Sequence, residues 1–156
     1  MRTESRFEQY DLNLNLPEPL LPRQMRFTIK GRVDANGDVL VDIDRTEVEA
    51  VVDQIAEAGF ESVAVGLIHS YLNPTHERVV RDVLAEKLPH VAVSISSDVS
   101  PQMREYERFN TVVANAYIKP LMASYLGRLE HRLQSEGVAC RFFLMLSGGC
   151  IISIQN

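Results

Sequence analysis

The chain holds 156 residues, 46% hydrophobic and 24% charged, with a formal net charge of −5. That length and balance suit one domain of ordinary size and exclude extended disorder. With 16 Lys and Arg against 21 Asp and Glu, and no basic cluster, binding to a nucleic-acid backbone is excluded as a main task. No apolar run approaches the ~20 residues of a bilayer span, and the polar opening Met1-Arg-Thr-Glu-Ser-Arg6 has no signal-peptide core. Cys140 and Cys150 lack metal spacing and read as reduced thiols in a cytoplasm.

In chain order, residues 1–24 read as an extended strap, because Pro17, Pro19 and Pro22 fix φ and remove backbone donors. Residues 25–156 read as a single α/β domain. The period-two alternation of 25–29 predicts a strand, joined through Asp34-Ala-Asn-Gly-Asp38 to 39–43 as a β-hairpin. Asn36-Gly37 tolerates the positive φ values of its turn. That Asp/Asn/Gly cluster lacks the distal Glu of a calcium loop, so no metal is assigned to it. Asp44-Arg-Thr-Glu47 predicts a capping box opening a helix with Val48, Val51, Val52 and Ile55 on its buried stripe and Gly59 at its end. The apolar run 62–68 predicts a buried strand. Asn73-Pro74 opens a second helix with an apolar face at Val79, Val80, Val83, Leu84 and Leu88. Pro89 stops that helix, and 91–95 predicts the next strand.

Ser100-Pro101 predicts a helical stretch reaching about Tyr117. Lys119-Pro120 permits a kink or a restart into a helix with Met122, Tyr125, Leu126, Leu129 and Leu133 as its stripe. Gly137 predicts its cap, and 141–146 a further buried strand. Strand–helix alternation predicts a partly parallel sheet with helices packed on it, in which 62–68, 91–95 and 141–146 are mutually parallel and the hairpin lies outside. Ser147-Gly-Gly149 permits a reversal into 151–154, a second hairpin. The apolar edge of that returning strand leads to the expectation that the domain is cut there and self-associates.

Three segments hold candidate site residues. His69 falls where the chain leaves a strand, the side on which open α/β sheets bind ligands. An imidazole there can act as a base, donate to a carbonyl, bind a metal, or simply bond a loop carbonyl. His76-Glu77 lacks the second His of a zinc helix. Arg104-Glu-Tyr-Glu-Arg108, with Asn115 further along, opens the long helix; Arg104 with Glu107, and Glu105 with Arg108, have the spacing of solvated ion pairs. The same helix end, turned to a cleft, offers arginines for a carboxylate or phosphate. Ser147 and Gly149 follow a strand in a glycine turn that matches no nucleotide-loop pattern.

Four stretches together resemble the hydantoinase A/5-oxoprolinase/acetone carboxylase family. They are Tyr10-Asp-Leu-Asn-Leu14 with Pro19-Leu-Leu-Pro-Arg23, then Gly66-Leu-Ile-His-Ser-Tyr-Leu-Asn-Pro-Thr-His-Glu77. Next come Arg104-Glu-Tyr-Glu-Arg-Phe-Asn-Thr-Val-Val-Ala-Asn-Ala-Tyr117 and Ser147-Gly-Gly-Cys-Ile-Ile-Ser153. The resemblance implies part of an actin/hexokinase-like ATPase fold and a parent enzyme that uses ATP and Mg²⁺ to activate a cyclic amide or a ketone. It also implies a partner, the rest of the parent subunit and a hydantoinase B-like subunit. Relatives carry two glycine-rich phosphate loops, one opening Asp-x-Gly-Gly-Thr. This sequence has neither, so no cofactor is assigned to the chain itself. It reads as an incomplete fragment of a larger subunit, inactive alone. Gly148 and Cys150 depart from the family's Ser-Asn-Gly-Gly, and Asn110 from its Ser or Thr, so no catalytic residue is carried over. The alternative readings are a non-catalytic α/β interaction module and a flavodoxin-like binding domain.

Overall fold

The computed structural model describes residues 18–138, 143–145, 148–149 and 151–153. The expected strap therefore lies outside the described residues up to position 17. The chain divides into two compact units, Met1–Ile118 and Lys119–Asn156.

The first unit is built around a β–α–β crossover. Strand β3 (Ser62–Val65) pairs in parallel with β4 (Ala92–Ile95), from Ser62↔Ala92 to Val65↔Ile95. Helix α2 (Thr75–Lys87) connects them and packs on β4, with α1 (Arg45–Ala58) beside it. The stripes read from the sequence meet in one cluster: Val48, Val52 and Ile55 of α1 against Val80, Val83 and Leu84 of α2, closed by Val65 and Ile95. Val83 and Leu84 are wholly buried, and a fully buried aliphatic side chain contributes about 1.5–3 kcal/mol.

Helix α1 begins where Asp44 Oδ1 accepts from the Thr46 amide at 2.9 Å. It ends at Gly59, whose φ of 69° is the left-handed cap that glycine adopts without Cβ strain. Only half of the expected capping box forms. Glu47 does not reach back to Asp44; its Oε1 accepts from the Lys30 amide at 3.3 Å, tying the preceding segment to the helix.

The first hairpin is smaller than its pattern predicts. Strands β1 (Arg32–Val33) and β2 (Val39–Val41) pair antiparallel with a register break. The expected strand at 25–29 is absent; a 3-10 turn at Arg23–Met25 precedes irregular chain, and Arg26 Nε donates to the Leu21 carbonyl at 2.9 Å. Alternation there reports a half-covered face, with Ile29 on the core and Phe27 edge-on to Phe60. It does not supply a hydrogen-bonding neighbour, because β2 spans three residues and is matched by β1.

A four-residue helix, α3 (Ser96–Val99), follows β4, and α4 (Glu105–Ser135) starts later than Ser100. Arg104 has φ of 82°. A left-handed residue cannot belong to a right-handed helix, so α4 opens directly after it. Pro120 removes one helical donor, but no second helix restarts: the element is continuous across it. In the first unit Arg108, Val112 and Ala116 form the buried face of α4.

In the second unit the expected stripe is not buried. Met122 and Tyr125 are exposed, and Leu126, Leu129 and Leu133 are half-buried. Strand β5 (Phe143–Met145) pairs antiparallel with β6 (Ile151–Ser153), from Phe143↔Ser153 to Met145↔Ile151. The predicted third parallel strand is thus corrected: its described residues belong to a hairpin and not to the β3–β4 sheet. A glycine turn, with Gly149 at φ of 82°, lets the chain pair with itself locally and needs no crossover. Positions 141, 142, 146 and 154 of the expected strands lie outside the described residues. Among the described residues, no helix is long and apolar enough to cross a membrane.

Candidate functional site

Both parallel strands end in short polar segments, and the chemistry gathers there. Leu67, two residues past β3, donates its amide to Glu77 Oε1 at 2.9 Å. Its carbonyl accepts from Arg108 Nη2 at 2.8 Å and from the Ser70 hydroxyl at 2.9 Å. Past β4, the Ser96 hydroxyl donates to Glu77 Oε1 at 2.6 Å, and the Ser97 amide donates to Glu77 Oε2 at 2.8 Å. Arg108 Nε donates to Ser96 Oγ at 3.1 Å, and Nη1 to the Gln102 carbonyl at 2.9 Å. The Ser70 and Ser96 hydroxyls stand 3.1 Å apart.

Glu77 is 0% exposed and Arg108 1%. A carboxylate and a guanidinium taken so far from water are tolerable because each is met by three hydrogen-bond partners. The guanidinium carbon lies over two aromatic rings: the Tyr71 centroid is 5.5 Å from Arg108 Cζ and the Phe109 centroid 5.2 Å. Gly66 lets Phe109 come this close, since a Cβ at 66 would sit 2.6 Å from the phenyl ring.

His69 is on the rim of this network. Its φ of 57° is left-handed, a conformation costing a non-glycine residue about 1–2 kcal/mol. Its ring lies 6.2 Å from Tyr71. Its Nδ1 is buried and has no hydrogen-bond partner among the described residues, as has Ser97 Oγ past the neighbouring strand.

The other sequence candidates divide. His69 and Arg108 come together through Tyr71 and Leu67. Arg104 is exposed at the turn into α4, Glu105 is half-buried and Glu107 exposed. The expected ion pairs of Arg104 with Glu107 and Glu105 with Arg108 are absent, because Arg108 turns inward to carbonyls and Ser96 and is no part of a solvated face. Asn115, further along α4, accepts from the Ser94 hydroxyl through Oδ1 at 2.8 Å. Gly149 is in the second unit and exposed, and Ser147 lies outside the described residues.

Sequence reasoning missed Glu77, Ser96, Ser70 and Tyr71. A signal for the charged pair was present. Glu77 precedes Val80 and Leu84 by three and seven positions, and Arg108 precedes Val112 and Ala116 by four and eight. A charge in register with a helix's apolar stripe is a charge bound for the interior. For the two serines no local pattern exists.

The geometry can be set beside known proteins. Residues 1–88 match the profile of the hydantoinase/oxoprolinase N-terminal region, and residues 108–156 match the hydantoinase/oxoprolinase profile. The chain is 35% identical to an uncharacterised protein of Methanocaldococcus jannaschii, over 94% of this chain and 22% of the relative. It is 33% identical to caprolactamase subunit alpha of Pseudomonas jessenii, over 83% of this chain and 18% of the relative. Among solved structures, the ATP-dependent caprolactamase of that organism superposes with a TM-score of 0.83 at 30% identity, over 96% of this chain and 22% of the other. A nucleotide-free acetone carboxylase, from work on ATP-dependent acetone carboxylation, gives 0.80 at 25% identity, over 91% and 21%. The mixed α/β architecture of helices on a small parallel sheet agrees with both. The chain spans about a fifth of the length of these relatives. With both profiles matched in succession along its length, the chain belongs to the hydantoinase/oxoprolinase family.

Proposed function

We propose that this chain forms part of an ATP-dependent enzyme that hydrolyses a cyclic amide, with the loop after β3 facing the substrate. The observation that carries the reading is His69. It sits beyond a parallel strand, where such sheets bind ligands, and its left-handed backbone and unpartnered Nδ1 describe a side chain held for a group outside the chain. An imidazole N–H suits a lactam or hydantoin carbonyl oxygen, whose negative charge grows as the ring is attacked. The exposed Arg104 guanidinium, at the start of α4, suits a substrate carboxylate. Glu105 and Glu107 are neighbours on the same helix end, with Asn115 almost three turns further along; Ser147 and Gly149 are not assigned to this cleft.

The described residues do not fit Mg·ATP. The one buried carboxylate at the strand exits, Glu77, already accepts from two amides and a hydroxyl, and this leaves it poorly disposed toward a cation. Nucleotide and Mg²⁺ then fall to other parts of the full-length protein. Its relatives include proteins described as subunits of larger enzymes, which supports a hydantoinase B-like partner subunit; a cytoplasmic setting rests on reading Cys140 and Cys150 as reduced thiols.

In the full-length enzyme, His69→Ala should lower hydantoin or 5-oxoproline turnover at least about tenfold, with the melting temperature nearly unchanged. Unaltered kinetics would return His69 to a loop-packing role and sink this reading.

A further inference from the structure

The two backbone polar groups of Leu67 are both taken by charged side chains distant in sequence. Glu77 holds its N–H and Arg108 its carbonyl. The Ser96 hydroxyl joins the two charges, receiving from Arg108 Nε and donating to Glu77. The second Glu77 oxygen fixes the Ser97 amide. One carboxylate and one guanidinium therefore span the exits of both parallel strands and the start of α4. For stability alone, packed apolar residues serve such a site at least as well as buried charges. What the charges add is direction. Each hydrogen bond ends on backbone past a strand exit or on the Ser96 hydroxyl, and Tyr71, under the guanidinium, carries the constraint on to the His69 ring. Arg108 itself is buried and makes three donor contacts, all within the chain.

We infer that Arg108, Ser96 and Glu77 form a positioning clamp on residues 67–71, with Arg108 orienting His69 through Leu67 and Tyr71 while touching no ligand. The functional consequence rests on the role proposed for His69; the clamp's geometry does not.

The test uses the full-length protein with Arg108→Lys, which keeps the charge but loses the planar fork that reaches three acceptors. Hydrogen exchange by mass spectrometry compares a peptide covering 66–73 with a core peptide covering 48–56. Exchange in 66–73 should quicken about tenfold, the loss of roughly one good hydrogen bond, with 48–56 unchanged. With hydantoin as the probe, kcat should fall and KM stay within about twofold. Ser96→Ala, a smaller change that removes only the bridging hydroxyl, should move both readouts in the same direction by less. Equal quickening of both peptides would mean that Arg108 merely holds the core, and an unchanged 66–73 peptide in both variants would mean there is no clamp. A KM raised well beyond twofold would mean that Arg108 meets the substrate. Each of these overturns the inference. Faster loop exchange with unaltered turnover would instead uphold the clamp and sink the reading of His69.

Discussion

Two loops of the first unit touch, yet they are held by opposite means. The hairpin turn at 34–38 is ordered by its own first residue. Asp34 Oδ1 accepts from the Asn36 amide at 2.9 Å and the Asp38 amide at 2.8 Å, and the Asp34 amide donates to the Asp38 carbonyl at 2.9 Å. The strand-exit loop at 67–73 has turn bonds of its own, but the amide and carbonyl of Leu67 at its head are held from outside by Glu77 and Arg108, 10 and 41 positions away. The loops meet where Asn73 Nδ2 donates to the Gly37 carbonyl at 2.9 Å. The first keeps its charge at the surface, half-covered, and uses bonds that cost little to make. The second draws two charges out of water and holds them only while the surrounding tertiary structure persists. A loop of the second kind is expensive as scaffolding and suits a segment whose conformation has to be unique.

The contrast is broken or sharpened by substitution, and the largest effect is expected at Arg108. Arg108→Ala takes a charged donor from the Leu67 and Gln102 carbonyls and from Ser96 Oγ, and leaves the buried Glu77 carboxylate without a nearby cation, so it should cost about 3–5 kcal/mol in denaturant unfolding. A loss below about 1 kcal/mol would mean that the strand-exit loop is no more dependent on distant charges than the hairpin is.

A smaller effect is expected at Gly66. A methyl there meets the Phe109 ring at 2.6 Å, so the ring or the strand exit has to move. Gly66→Ala should destabilise by about 1–3 kcal/mol, with the Tyr71 and Phe109 resonances shifting together in NMR spectra. An unchanged aromatic spectrum would show that the close approach has no bearing on the cluster.

The smallest effect belongs to the hairpin turn, and it depends on pH. The Asp38 amide is the foremost influence holding the Asp34 carboxyl below the usual carboxylate range, with the Asn36 and Gly37 amides adding to it against a lesser opposing effect of desolvation. A group whose folded pKa is depressed contributes stability above its unfolded pKa and loses it as pH falls through the folded one. Protection of the turn amides relative to Asp34→Asn should therefore be present at neutral pH and fade below about pH 4. Protection that persists at pH 2 would show that the hydrogen-bonding geometry, and not the charge, orders the turn.

The legibility of the two loops follows the same division. The turn at 34–38, the cap at Asp44 and the left-handed end at Gly59 were readable, because their contacts join residues within four positions of one another. The helical stripes of α1 and α2 were readable because one face meets one core. The strand at 25–29 was misread, since alternation cannot reveal whether a neighbouring strand has room to pair. The start of α4 was misplaced because nothing in Arg104's side chain announces a left-handed backbone. At the site, His69 was visible by its position after an apolar run and Arg108 by its motif. The two stand in one cluster because of Ser96 and Glu77, which bear no local mark.

What the amino-acid sequence determined by itself is the order of elements from α1 to β4, the buried faces of α1 and α2 and, through four motif stretches, the family. Those properties depend on periodicity, capping and turn chemistry, all of which act over a few residues. What only the tertiary structure decided is that a charge at the first turn of α2 and another at the first turn of α4 enter one interior and take hold of the same residue, Leu67. Burying them is favourable only when every donor and acceptor finds its partner at once. That condition is met by three segments converging in space, and no one of them carries it alone.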